Sequence, residues 1–226
     1  MNQTAYNFEQ FYKRWIISFS VVNLVAVLIG IFEPISSWWP FVAMLFFGFF
    51  IFKIPKYKPN YPLRVGYANL ITTFRLLLVL VALVFHPYFD AIILGLVFLA
   101  NILLDGVDGY IARKTGQSSM VGEVLDMETD AYFVFAISWL HVVEHQLSVW
   151  LLLPGSLRYI YALLVIRPGK EILPKRVRAS IAVFFFFALL IPFFTEDMAF
   201  IWLTYLAGAS IVISFVISLL GRLIRT

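Results

Sequence analysis

Long apolar stretches alternate with short polar breaks along this chain, and the stretches are long enough to set its architecture. A helix of about 20 residues, rising 1.5 Å per residue, crosses a hydrocarbon layer about 30 Å thick. A window of that length picks out eight candidate spans at 15–32, 38–52, 67–85, 89–104, 126–143, 147–166, 179–194 and 199–220. The first would be about 27 Å long as a helix, too long for a signal-peptide core, and no small-residue cleavage site follows it. It therefore reads as a retained span. The segment 53–62, KIPKYKPNYP, carries three prolines and three lysines and reads as a break, not a helix interior. It divides an N-terminal transmembrane hairpin with a basic linker, 1–62, from a six-helix core, 63–226. The predicted fold class is all-α, a polytopic transmembrane helix bundle.

Composition agrees with that reading. Of 226 residues, 62% are hydrophobic and only 13% charged, and the mean hydropathy is +0.91, well outside the range of soluble domains. With no cysteine, disulfides, thiolate zinc sites and cysteine nucleophiles are excluded. A net charge of +4, scattered along the chain, gives no case for a nucleic-acid partner.

The placement of charge is more informative than its sum. Threading eight alternating spans puts every Lys and Arg on one side except Arg75 and Arg158, which fall inside spans. The short loops of the other side hold Glu33, Asp90, Glu144, Glu196 and Asp197. Basic residues accumulate on the cytoplasmic side of membrane proteins, so both termini are predicted there.

Chemistry concentrates in 105–130, DGVDGYIARKTGQSSMVGEVLDMETD. Asp105, Asp108, Asp126 and Asp130 sit beside apolar helices, where carboxylates are costly unless paired or ligated. Steps of 100° place Asp105, Asp108, Gly109, Ala112 and Arg113 within an arc of about 140°. Gly122, Asp126 and Asp130 follow at i, i+4 and i+8 on one face of the next helix. Packed together through a short turn near Gly116, the two faces would gather four carboxylates at the cytoplasmic end of the bundle. Oxygen donors without nearby His or Cys favour hard cations, Mg²⁺ or Mn²⁺, and four carboxylates can hold two. Such a pair stabilises the attacking and leaving oxygens in phosphoryl transfer. Gly109 and Ala112 leave room for a substrate, and Arg113 offers a fork of donors to a phosphate.

The pattern D-x2-D-G-x2-A-R-x8-G-x3-D-x3-D, met here by Asp105, Asp108, Gly109, Ala112, Arg113, Gly122, Asp126 and Asp130, resembles the signature of the CDP-alcohol phosphotransferase family. Asn69, Thr72 and Arg75 are similar to that family's N-x2-T-x2-R. The likeness covers roughly 67–220 and leaves the N-terminal hairpin unexplained. It implies a six-helix core, a homodimer, and a CDP-linked donor bound at the cytoplasmic end, in a multi-pass protein of a bacterial inner membrane. By position it implies that Asp105, Asp108 and Asp126 bind two divalent cations, and that Asp130 contacts a metal and acts as catalytic base. Gly109, Ala112, Arg113 and Gly122, with Asn69 and Thr72, would line the donor site. The reaction implied is transfer of a phosphatidyl group from CDP-diacylglycerol to a small polar alcohol with release of CMP. The reverse assignment, a CDP-choline or CDP-ethanolamine donor with a diacylglycerol acceptor, is the alternative within the family. A cation channel or transporter is the alternative outside it, although a conduction path would spread its carboxylates along the membrane normal.

Several residues admit two readings. Arg158, near the middle of a span, would cost about 3 kcal/mol there, so it needs either a substrate anion, as an acceptor-binding residue, or an internal acidic partner. Arg75 is a second acceptor-binding candidate, or a residue snorkelling from the start of its helix. The basic loop with Arg167, Lys170, Lys175, Arg176 and Arg178 could attract an anionic substrate or simply mark the cytoplasmic side. His86, His141 and His145 fall far from the aspartates and read as non-ligands. Phe184 to Phe187 read as lipid-facing bulk, and Trp38 with Trp39 as an interfacial anchor.

Overall fold

The computed structural model describes residues 3–32, 39–57, 67–115, 119–144, 147–164 and 173–223. It contains eight α-helices and, among the described residues, no strand: α1 (Gln3–Phe32), α2 (Trp39–Tyr57), α3 (Tyr67–Phe85), α4 (Ala91–Thr115), α5 (Met120–Val143), α6 (Leu152–Leu164), α7 (Lys175–Ala188) and α8 (Met198–Leu223). Five helices are long and apolar enough to cross a membrane, and Trp39–Ile54 and Val149–Leu164 are shorter apolar helices. The remaining helix, α5, is 24 residues long, and its acidic half, with Glu123, Asp126, Glu128 and Asp130, keeps it from that class. The protein is thus an integral membrane helix bundle. Its outer surface is apolar, with Leu45, Phe52, Phe74, Phe200 and Leu206 all exposed, as expected where lipid replaces water.

Helix ends depart from the sequence reading in several places. First, α1 begins at Gln3, well before position 15. Aromatic packing of Phe8, Phe11 and Tyr12 against one another and against α2 sustains these turns. Second, α2 runs on through Pro55 to Tyr57. A proline in the last turn removes one donor without interrupting a helix interior, so 53–57 is helical, not a break. Third, α7 starts at Lys175 and gives way to a 3₁₀ turn at Ile191–Phe193, because Pro192 cannot continue the α-helical ladder.

α3 packs on α4 and α5, α5 on α6, and α7 on α8, while α1 lies along α6 and α2 reaches α3. Gly155 of α6 faces the backbone of Phe135, where an added Cβ would stand 2.7 Å from its Cα, so these helices approach through the missing side chain. The hairpin and the six following helices share one hydrophobic core. Trp39 is central to it, fully buried against Tyr132, Phe135 and Trp139, with Nε1 donating to Asn23 Oδ1 at 3.0 Å. The anchor role expected of Trp39 is therefore corrected: its indole N–H finds a partner inside the protein and the ring is enclosed by α5. Trp38 lies outside the described residues. Of the phenylalanine run, Phe184 and Phe187 are exposed as expected, but Phe185 is buried in the core, since four consecutive helical residues cannot share one face.

Candidate active site

Ser119 caps α5, its hydroxyl accepting from Gly122 N–H at 3.2 Å with an extended backbone. From that start Asp126 and Asp130 fall on one face, and Asp105 meets them from α4. One carboxylate oxygen from each of the three lies within 4.8 Å of the others. This all-oxygen set suits a hard divalent cation in donor type and spacing. Asp108, Ala112 and Arg113 belong to the same helix α4, but their side chains lie outside the described residues, as does the turn at 116–118. Gly109 is half-buried one turn beyond Asp105.

Arg75 of α3 reaches into this cluster. Its Nη1 lies 2.8 Å from Asp105 Oδ1 and 3.1 Å from Asp126 Oδ1, and its Nη2 lies 2.6 Å from Asp130 Oδ1. The Arg75 side chain is only 2% exposed, against 44%, 45% and 33% for the three carboxylates. The acids are therefore partly exposed while the cation backs them from inside, so Arg75 does not snorkel, and its guanidinium is engaged by the acids. Asn101 fixes the backbone behind it, donating from Nδ2 to Arg75 O at 2.9 Å.

The other α3 residues also find places. The Asn69 amide packs directly on Gly122, where a Cβ would come within 2.5 Å of Asn69 Oδ1. Gly122 thus lets α3 approach the start of α5. Thr72 is buried and bonds back to Ala68 O at 3.1 Å.

Arg158 has an internal acidic partner, one of the two readings open from sequence. Its Nε and Nη2 lie 3.1 and 2.6 Å from Oε1 of Glu128, which is fully buried. Tyr12 of α1 closes the group, donating to Glu128 and accepting from Arg158. Arg158 also lines a cavity of about 430 Å³ between α5, α6, α7 and α8, with Arg178 and an otherwise mainly apolar wall that includes Phe185, Phe215 and Leu219. Phe186 borders both this cavity and a narrow cleft against Arg75, Asp105 and Asp130. Sequence reading passed over Glu128 and Tyr12. A glutamate between two aspartates on a membrane helix was a usable signal for Glu128, whereas nothing local distinguishes Tyr12 from other aromatic residues of α1.

Neither described histidine joins the aspartate cluster. His86 Nδ1 pairs with Glu144 at 2.9 Å, and His141 Nε2 meets Leu189 O at 2.6 Å. His145 lies outside the described residues.

A polytopic helical membrane protein with an acidic cluster, backed by a buried arginine and set on adjoining helices, defines the class. Residues 65–220 match the family model for CDP-alcohol phosphatidyltransferase, and the chain belongs to that family of transferases. Among curated relatives it is similar to proteins named CDP-diacylglycerol--glycerol-3-phosphate 3-phosphatidyltransferase. Those of Salmonella choleraesuis and Escherichia coli are each 30% identical over 118 residues, or 51% of this chain and 64% of theirs. That of Wigglesworthia glossinidia brevipalpis is 26% identical over 106 residues, or 46% and 58%. The match thus spans less than two thirds of these relatives. No solved structure matches the chain significantly.

Proposed function

We propose that this protein transfers a phosphatidyl group from CDP-diacylglycerol to a small polar alcohol that itself carries phosphate, releasing CMP. The observation that carries this reading is the Asp105, Asp126 and Asp130 cluster, whose oxygens converge within 4.8 Å, beside a cavity lined by Arg158 and Arg178. Divalent cations, Mg²⁺ or Mn²⁺, held by Asp105, Asp108, Asp126 and Asp130 would neutralise the donor's diphosphate and stabilise charge on the oxygens exchanged at phosphorus.

The chain's own groups supply the rest. Asp130, with one oxygen against Arg75, takes the proton from the acceptor hydroxyl as it attacks in line. Arg75 balances the acids from behind and keeps them turned toward the open side. Gly109, Ala112, Arg113 and Gly122, with Asn69 and Thr72, form the donor site, Arg113 pairing with phosphate. In the cavity Arg178 and the Nη1 side of Arg158 attract the acceptor's phosphate, since Nε and Nη2 of Arg158 are held by Glu128 and Tyr12. The naming of the relatives makes glycerol 3-phosphate the first acceptor to try. The family resemblance further supports a homodimer with a cytoplasmic site, and the one-sided distribution of basic residues supports cytoplasmic termini.

The test is CMP release by purified protein from CDP-diacylglycerol across a panel of alcohols, with Mg²⁺ or Mn²⁺ and with excess chelator. Release with glycerol 3-phosphate, abolished by chelator, is expected. Release only from CDP-choline or CDP-ethanolamine with diacylglycerol would replace this reading by its alternative. Full turnover in metal-free buffer would remove the role given to the carboxylates.

A further inference from the structure

Positions 126 and 130 lie one helical turn apart, and position 128 stands 200° from each of them around α5. The face that carries Asp126 and Asp130 toward Arg75 is therefore opposite the face that carries Glu128. Glu128 is fully buried, and both partners that hold it come from other helices, Arg158 from α6 and Tyr12 from α1. Tyr12 also bonds Arg158, so the three groups close a triangle joining α1, α5 and α6. Tyr12 lies outside residues 65–220, the part matched to the family.

A buried carboxylate held this way is costly to misplace, because any shift of α5 that broke its bonds would leave a charge without partners in an apolar surround. A turn of α5 about its axis, or a slide along it, moves Glu128 and the two aspartates together. Holding Glu128 therefore sets where Asp126 and Asp130 present their oxygens relative to Asp105 on α4. Ring packing alone would not do this, since aromatic rings in tilted contact, such as Phe19 and Phe47 against Tyr132, tolerate small slides. Directional bonds to a charged group do not.

We infer that the N-terminal hairpin is a working part of the catalytic unit: Tyr12 is a positioning residue that, with Arg158, locks Glu128 and thereby fixes the metal-binding face of α5. This rests on the function proposed above for the aspartates. It assigns the hairpin a task in the reaction beyond filling space against the bundle.

The test uses the full chain purified in lipid nanodiscs and reads Mn²⁺ binding by electron paramagnetic resonance, steady-state kinetics and thermal unfolding. Tyr12→Phe removes one hydroxyl and keeps the ring. It is expected to raise the Mn²⁺ dissociation constant about five- to tenfold and to lower kcat by a similar factor, with KM for CDP-diacylglycerol within twofold of wild type. Glu128→Gln should act in the same direction, and the double variant should be no worse than the weaker-binding single one, because both act through the same triangle. Phe47→Leu, a buried hairpin change whose ring meets Tyr132 of α5 and no member of the triangle, should lower the melting temperature without moving Mn²⁺ affinity. Wild-type Mn²⁺ affinity and kcat in Tyr12→Phe, or loss of affinity in Phe47→Leu in proportion to its loss of stability, would overturn the inference. If Tyr12→Phe does not yield folded protein, Glu128→Gln decides alone by the same Mn²⁺ measurement. Because Mn²⁺ binding needs no turnover, an inactive wild type would overturn the proposed reaction while leaving the positioning role separately decided.

Discussion

Arg75 and the three aspartates around it form a charge balance that can be tested one residue at a time. Removing the guanidinium leaves Asp105, Asp126 and Asp130 facing one another with like charge. Breaking a fully buried pair costs about 3–5 kcal/mol, but these carboxylates are one third to nearly one half exposed. Solvent screening brings the expected loss to about 1–2 kcal/mol. Arg75→Met should therefore unfold several degrees lower in chelator, and millimolar Mg²⁺ should recover more stability in the variant than in wild type, as measured by thermal unfolding. The aspartates themselves should divide by role. Asp105→Asn or Asp126→Asn is expected to raise the half-activating metal concentration about tenfold or more. Asp130→Asn should cost about 10²-fold or more in kcat with donor affinity little changed. Equal losses of donor binding in all three would refute that division.

At the scale of elements, the site depends on how closely α5 can approach its neighbours. Two glycines set those distances, Gly122 against Asn69 and Gly155 against the backbone of Phe135. The obstacles differ in kind. Asn69 presents a side-chain amide that can rotate away, whereas the Cα of Phe135, 2.7 Å from a new Cβ, can yield only if α5 and α6 move apart. Gly155→Ala is thus expected to destabilise by about 1–3 kcal/mol despite the better helix propensity of alanine. Differential scanning fluorimetry checks it, and an unchanged or raised melting temperature would show that the contact is looser than the geometry indicates. The same movement would disturb the Arg158 and Glu128 pair, so kcat should fall along with stability.

For the whole molecule, the proposed orientation rests on the near-complete segregation of basic residues to one side of the predicted spans. A cysteine placed at position 118, in a chain that has none of its own, should react with a membrane-impermeant maleimide only from the cytoplasmic face. One at position 196 should react only from the opposite face. The reverse pattern would put the acidic cluster on the other side of the membrane and remove the proposed access to a cytoplasmic CDP-linked donor.

The sequence by itself determined the eight helices, since each apolar run is long and the breaks between them are polar or rich in proline. It also marked the candidate acids, because Asp105 with Asp108 on one helix and Asp126 with Asp130 on the next stand at helical spacing where a carboxylate is otherwise too costly to keep. Three things were decided only by tertiary structure. The internal partners of Arg158 are Glu128 and Tyr12, the latter 146 positions away along the chain, and no local pattern joins groups so far apart. The place of Trp39 is the second, because an indole suits a membrane interface and a buried core equally well, and only the enclosure by α5 separates the two. The ends of α1 and α2 ran beyond their apolar segments because packing between neighbouring helices, not hydropathy, stabilises the final turns.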